Sequence, residues 1–528
     1  MRIHRAAFLG IFLLAACGGE TVTPSPLPSA DPATPSPETS EPPAPSVEPT
    51  AGEEGSAFAG AWVEATGEDM AAIGEWTNKV ELADLDVDGD LDILFANGGD
   101  YETPGTPVAS GAWLNDGAGT FTDATAEILG DHALLTRVIK VADLNADGLP
   151  DIVMGTTFDT QSRLLLSTGP MAWTEVTDTN LPAAELSVGD LEIGDVDADG
   201  DLDIVLTDWG DGNPFGPGGR MQLWRNDGAG VFTDDTDAAM PETLVGFSWD
   251  IELVDVDNDW DLDLAISCKA CSTSLLYIND GTGTYTDETA GRMPPSENNY
   301  EFAPIDLDGD GFLDLVTIND GPGVTERVLR NDGTGAFEDV TAISWPSEAN
   351  PGWDDNVVVA LDVDSDGDAD FIIGSLDGPD RLMINDGFGG LTMVTDAFEA
   401  DPSRGTLMMA VADLDGDGRP DVVEAQGEVP GHEAERVYLG SEVLEPDTAA
   451  PIIRATVSGG VFLARVHDNR TPNLPDDWTS VVARWDGGEA PMTWYGENLF
   501  RATLPDGATP VVVCAIDAAG NEGCAAPR

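Results

Sequence analysis

Asp84-Leu85-Asp86-Val87-Asp88-Gly89-Asp90-Leu91-Asp92 is the stretch from which the rest of the chain can be read. Close relatives of it start at Asp143, Asp195, Asp255, Asp306, Asp362 and Asp413, giving seven copies spaced 51 to 60 residues apart. A period near ~50 residues marks supersecondary units that are stacked or set around an axis. Each copy runs into an apolar, β-rich segment such as Ile93-Leu94-Phe95 or Ile204-Val205-Leu206. Downstream in most copies an Asn-Asp-Gly tip follows, beginning at Asn115, Asn226, Asn279, Asn331 and Asn385. Such a tip readily takes the positive φ of a tight hairpin. Each unit therefore has four short strands, one before and one after the Asp loop, one before and one after the tip. Four antiparallel strands repeated seven times predict an all-β fold, a seven-bladed β-propeller.

The ends of the repeat array bear on closure. The seventh unit stops near Leu439 without its last strand, while Ala61-Trp62-Val63-Glu64-Ala65-Thr66 resembles Ala172-Trp173-Thr174-Glu175-Val176-Thr177, the last strand of the second unit. The N-terminal strand is thus expected to complete the seventh sheet. An open solenoid would leave an unpaired edge in need of a cap.

The loop pattern D-x-D-x-D-G-x-x-D sets carboxylates at positions 1, 3, 5 and 9, with the backbone carbonyl of position 7 as a further donor. Calcium takes six to eight oxygen ligands in flexible geometry, and glycine at position 6 permits the bend. Two such carboxylates ~4 Å apart repel by about 4 kcal/mol at an effective dielectric near 20, which makes seven cation-free loops costly. The predicted ligand sets are Asp84, Asp86, Asp88, Asp90 and Asp92 in the first loop, and Asp143, Asn145, Asp147, Leu149 and Asp151 in the second. The third and fourth have Asp195, Asp197, Asp199, Asp201 and Asp203, then Asp255, Asp257, Asp259, Asp261 and Asp263. The fifth and sixth have Asp306, Asp308, Asp310, Phe312 and Asp314, then Asp362, Asp364, Asp366, Asp368 and Asp370. Asp413, Asp415, Asp417, Arg419 and Asp421 make the seventh. Asn145 still offers an oxygen. Trp260 stands where glycine is expected, and a bulky residue resists φ > 0, so the fourth site is expected to be distorted, weak or empty. Five to seven calcium ions follow. Residues 413–424 formally fit an EF-hand loop ending at Glu424, but the other copies lack that acid and all run into β-rich residues, so no EF-hand is expected.

Composition agrees with this reading. The 528 residues exceed one core and carry a net charge of −77, which repels phosphate backbones and excludes nucleic acid as a partner. Of the readings such acidity allows (disordered chain, salt adaptation, cation ligation), the fixed aspartate spacing favours ligation. Arg2 and Arg5 precede the apolar run Ala6 to Leu14, too short to span a bilayer. Leu14-Ala15-Ala16-Cys17 resembles the lipobox of bacterial lipoproteins, which implies cleavage before Cys17, acylation of its thiol and anchoring in the envelope, at the outer membrane. Membrane contact is then expected only through that lipid. Residues 18–56 are rich in Pro, Ser, Thr, Ala and Glu and read as a disordered tether.

From residue 446 to 528 the pattern changes to alternating strands such as Phe462-Leu463-Ala464-Arg465-Val466 and Val511-Val512-Val513-Cys514-Ala515, predicting a small β-sandwich. Through Asp447-Thr448-Ala449-Ala450-Pro451 and Asp517-Ala518-Ala519-Gly520-Asn521 this end resembles bacterial immunoglobulin-like modules. In an exported chain Cys514 and Cys524 are expected to bridge a hairpin, and Cys268 with Cys271 a short loop.

Across residues 57–445 the seven Asp loops resemble those of the FG-GAP/VCBS repeat family, the propeller type of integrin α-subunit heads and many bacterial surface proteins. The resemblance implies structural calcium in loops joining the first two strands of each blade, and a protein or glycan partner on the opposite face. Loops expected at that face carry Tyr101, Trp209, Phe215, Trp249, Tyr300, Trp345 and Trp353, which read either as a recognition surface or as packing between blades. The four histidines (His4, His132, His432, His467) fit no catalytic motif, and only Lys79, Lys140 and Lys269 supply lysine. The expected role is a non-catalytic binding or adhesion module. The alternatives are a calcium-dependent polysaccharide hydrolase or lyase and a passive surface scaffold.

Overall fold

The structure, a computed structural model, describes residues 56–528 except 73, 100–102, 131, 211–215, 320, 322, 399–404, 428–433 and 469–477. Cys17, the export segment and all of the tether but Ser56 lie outside the described residues, as do Tyr101 and Phe215.

Residues 62–440 build seven separate four-stranded antiparallel sheets that follow the sequence repeat. Sheet 1 shows the plan, with strands Thr77–Ala83, Asp92–Asn97, Gly111–Asn115 and Phe121–Asp123. The second strand is buried along its whole length because a neighbouring sheet packs on each face, which is why it reads as a continuous apolar run. The fourth strand is mostly exposed. The first strands of successive sheets lie side by side, and the first strand of sheet 1 also packs against Thr406–Ala412 of sheet 7, so the circuit of neighbours returns to its start.

Sheet 7 takes its outer strand from the N-terminal side. Trp62–Glu64 pairs antiparallel with Arg436–Gly440, with Trp62 opposite Gly440 and Glu64 opposite Tyr438. Trp62 is fully buried, stacks on Phe398 at 5.0 Å, and donates from Nε1 to the Pro420 carbonyl at 2.8 Å. This is the pairing the repeated Ala-Trp segment predicts, and it joins the two ends of the array through side-chain packing as well as ladder hydrogen bonds.

The all-β reading holds, and among the described residues it is interrupted by five one-turn helices that the sequence reading did not place, Thr125–Ile128, Thr177–Asn180, Thr236–Ala239, Thr289–Arg292 and Thr341–Ser344. Each opens with a threonine whose hydroxyl accepts a backbone N–H of the third strand, as Thr289 does from Leu276 at 2.8 Å. In four of them an aspartate two residues earlier also accepts the threonine N–H. The signal in those four is the Asp-x-Thr that ends the fourth strand, an Asx-type turn that halts it; the second unit has Glu175-Val176-Thr177 instead.

The last unit comprises two four-stranded sheets. One has Ile452–Ser458, Val461–His467, Leu499–Thr503 and Thr493–Gly496; the other has Gly488–Pro491, Trp478–Trp485, Pro510–Asp517 and Glu522–Ala525. Phe462, Ala464, Ala483, Phe500 and Val513 fill the core. Cys514 is joined to the directly opposed Cys524, and Cys268 to Cys271. No helix among the described residues is long and apolar enough to cross a membrane.

Candidate metal centres

Each Asp loop connects the first and second strands of its sheet. Position 1 organises the bend: Asp84 accepts the N–H groups of Asp88 and Gly89, both at 3.0 Å. Asp143, Asp195, Asp362 and Asp413 accept the corresponding pair in their own loops. Position 5 accepts the N–H of position 7, as Asp88 does from Asp90 at 3.1 Å. Two residues per loop take positive φ. Position 6 does so at Gly89 (99°) and position 4 at Val87 (63°), and the seven copies agree. The sequence pattern marks position 6 through its glycines but leaves position 4 unmarked, because Val, Ala, Asn, Ser and Gly all occur there.

Trp260 corrects one expectation. It adopts φ 77°, so the fourth loop makes the same turn as the others despite the bulky residue. Packing against the core of sheets 3 and 4 and a hydrogen bond from the Tyr495 hydroxyl to its carbonyl at 3.1 Å hold it there.

Position 9 anchors the loop to the strand behind it. Asp92 accepts the N–H of Leu85 (2.9 Å) and of Asn115 (2.8 Å), and every copy repeats a contact of this kind, with Ser167 or Gly440 where the Asn is missing. Burial raises these carboxyls, only partly offset by the N–H donors: Asp92, Asp151, Asp203 and Asp314 to about 7, Asp370 and Asp421 to about 8, and Asp263 to about 9. Desolvation is the largest cause, and the neighbouring loop carboxylates add to it.

The Asn of each tip ties neighbouring units together. Asn331 Nδ2 donates to Val256 O (2.7 Å) in the preceding loop and to Leu313 O (3.0 Å) in its own. Asn226, Asn279 and Asn385 repeat this, and Asn115 reaches Leu414 at 2.8 Å, linking the first unit to the seventh. Sequence reasoning took these residues only as turn formers.

The donor sets fit a hard divalent cation. Carboxylate oxygens of three aspartates lie within 4.8 Å of one another in, among others, Asp195, Asp197 and Asp199; Asp255, Asp257 and Asp259; Asp306, Asp308 and Asp310; and Asp84 with Asp86 and Asp92. Several of the oxygens are buried with no hydrogen-bond partner, namely Oδ1 of Asp86, Asn145 and Asp257 at position 3 and of Asp255 and Asp306 at position 1. A buried oxygen without a donor is costly, and an all-oxygen cluster suits calcium better than zinc or copper. At position 7, Asp90, Asp201, Asp261 and Asp368 add a carboxylate at the loop rim, whereas Leu149, Phe312 and Arg419 offer only a carbonyl.

Of the described aromatic residues expected at a recognition face, four pack instead of forming a surface, while Trp353 is half-buried. Trp209, Trp249, Tyr300 and Trp345 are at most 3% exposed. Trp209 stacks on Phe247 at 5.1 Å, Trp249 lies 6.1 Å from the same ring, and Tyr300 meets both edge-on. Arg137 sits over Trp209 and Trp249, and Lys269 over Tyr300 at 4.4 Å. Between the two ends, a cavity of about 250 Å³ is lined by Glu81, Lys140, Glu252, Glu301 and, from the last unit, Glu497. Lys79 in its wall pairs with Asp250 (2.6 Å) and Asp190 (3.0 Å). Burial alone would lower the Lys79 pKa, but the two carboxylates outweigh it and hold the ammonium charged.

The family model of the FG-GAP-like repeat matches residues 84–154, 143–206, 255–317, 306–373 and 362–424, together more than half of the chain. The chain belongs to the FG-GAP-like repeat family. Its repeats build the four-stranded sheets of a β-propeller, with the Asp loop at one end of each. No curated protein matches it in sequence. Among solved structures, it is similar to an Agrocybe aegerita lectin described as recognising non-reducing terminal N-acetylglucosamine, at 20% identity and TM-score 0.42 over 62% of this chain and 82% of that one. It is also similar to BBS1N from a complex with ARL6DN, at 10% identity and TM-score 0.45 over 73% of this chain and 98% of that one.

Proposed function

We propose that this FG-GAP-like chain is a seven-bladed, calcium-stapled propeller with an immunoglobulin-like C-terminal module, carried on an exported bacterial lipoprotein and serving as a non-catalytic binding scaffold. The orphaned buried oxygens of Asp86, Asn145 and Asp306 carry the calcium reading, since a bound cation is what would satisfy them. The seven sheets, the circuit of first strands and the Asn115 link to Leu414 support the blade count. The C-terminal module packs on the Asp-loop end, where it lines clefts with the first, third, fourth and seventh loops. This leaves the opposite face for a protein or glycan partner. That partner would meet loop surface over a packed aromatic floor, not an aromatic-rimmed cleft. The buried Lys79 and Arg381 ion pairs serve as structural ties within and between blades.

The test is the metal content and thermal unfolding of the full chain in EDTA and in millimolar calcium. Bound calcium with a large rise in Tm is the expected result. No bound metal and no shift would end the calcium reading and return the acidity to salt adaptation.

A further inference from the structure

Two of the seven loops face guanidinium groups at the same two positions. In the third, Arg501 of the C-terminal module pairs with Asp195 at position 1, and Arg225 of sheet 3 with Asp197 at position 3. In the fourth, Arg465 of the module donates to Asp255 Oδ2 (3.1 Å) and to its carbonyl (2.9 Å), while Arg292 Nη1 lies 3.2 Å from Asp257 Oδ2. Arg465 is 3% exposed and Asp255 2%, so this pair is sealed from water. Arg465 also reaches Asn258 Oδ1 at 3.3 Å, spanning the loop from position 1 to position 4.

One residue of the module sets this alignment. The Tyr495 carbonyl accepts the Asp195 N–H at 2.8 Å, its hydroxyl donates to the Trp260 carbonyl at 3.1 Å, and its ring lies 5.2 Å beneath the Arg501 guanidinium. Tyr495 thus touches both loops, and Arg465 and Arg501 enter one on each side.

Other loops differ. Among the described residues, no arginine pairs with the first loop or the second, where Asp86 Oδ1 and Asn145 Oδ1 stay buried and unpaired. In the fifth, Arg454 donates to the backbone carbonyl of Asp310 at 2.7 Å, and in the seventh the loop's own Arg419 pairs with Asp417 at position 5, not with positions 1 and 3.

Two guanidinium groups supply the same formal charge as one calcium ion, and their planar forks suit carboxylates. We propose that in the third and fourth loops arginine stands where other loops take calcium, and that these two loops are the seat of the C-terminal module. Asp255 Oδ1 and Asp257 Oδ1 keep open lone pairs, so the distinction has to be measured loop by loop.

This inference rests on the calcium reading above, and two measurements on the full chain separate their failures. The first counts bound calcium by equilibrium dialysis and elemental analysis. Wild type is expected to hold no more than five ions; Asp86→Ala loses one, and Asp197→Ala and Asp257→Ala lose none. Loss of an ion in either of the latter two overturns the division. The second follows Tm in EDTA. Asp86→Ala removes an unbalanced carboxylate and raises Tm, whereas Asp197→Ala and Asp257→Ala each strand a guanidinium and lower it. If no calcium binds to wild type, the calcium reading fails, and this second measurement decides alone: opposed shifts uphold the arginine pairing, and a rise in all three variants overturns it.

Discussion

The two ends of the propeller strands solve the same problem by opposite means. At the Asp-loop end, carboxylates crowd together and several buried oxygens have no donor. At the far end, cations are matched within the chain: Arg137 and Lys269 lie on aromatic faces, and Arg381 is locked to Asp355 at 2.6 Å with both side chains fully buried. The far end therefore finds partners for its cations within the fold, whereas the clustered carboxylates of the Asp-loop end would, on the calcium reading, take theirs from outside. One repeat can thus carry an edge of buried ion pairs and aromatic contacts and an edge of clustered carboxylates, because the same strand begins in packing and ends in an acidic loop.

Chelation is the strongest way to break this comparison. Each filled site contributes about 2.7 kcal/mol when free calcium is 100 times its Kd, and several sites add up. Calorimetry with and without EDTA should show a drop in Tm larger than any single substitution produces. An unchanged Tm would mean that both ends are self-sufficient.

Arg381→Ala tests the other end. Removing one partner of a buried ion pair leaves an uncompensated charge, at a cost of about 3–5 kcal/mol. Urea unfolding should show that loss equally with and without calcium. If calcium changed its size, the two ends would be coupled.

Asn331→Ala probes the link between adjacent loops. Its Nδ2 satisfies two buried carbonyls, in the fourth and fifth units, so the expected loss is about 1–3 kcal/mol. Because both carbonyls belong to Asp loops, the variant should also bind calcium more weakly. A loss of stability with unaltered calcium titration would confine the Asn to holding blades together.

Much of this was legible because spacing encodes it. The Asp loops, the four-strand units and the Trp62 strand all depend on local periodicity, which a one-dimensional string preserves. The role of position 9 was only half legible: Asp92 looks like a ligand in sequence, and its backbone partners at Leu85 and Asn115 appear only when the strands are paired. The fate of Trp209, Trp249 and Tyr300 was not legible, since recognition and packing use the same residues and only three-dimensional neighbours separate them. Trp260 was misjudged for a related reason. Its φ is imposed by tertiary packing that a turn propensity does not contain. The arginines on Asp195 and Asp255 lie hundreds of residues downstream, beyond any motif.

The smallest expected effect concerns pH at the far end, and it distinguishes that end from the loops most cleanly. Glu435 is 2% exposed, accepts the Thr77 hydroxyl and, at 3.0 Å, the Gln426 N–H. Burial pushes its carboxyl up to about 8, against an unfolded value near 4.5. The folded state therefore holds a proton that the unfolded chain releases first. Its contribution is fully present below pH ~4.5 and is lost as pH rises through about 8, at no more than about 1.4 kcal/mol per pH unit. Glu435→Gln keeps the shape without the titration, so stability measured in saturating calcium from pH 5 to 8 should fall less steeply in the variant. Saturating calcium matters because it holds the Asp loops in one state, leaving the far end as the source of the difference. Identical slopes would mean that Glu435 is ionised in the fold, and that the far end contains a buried charge its aromatic packing does not explain.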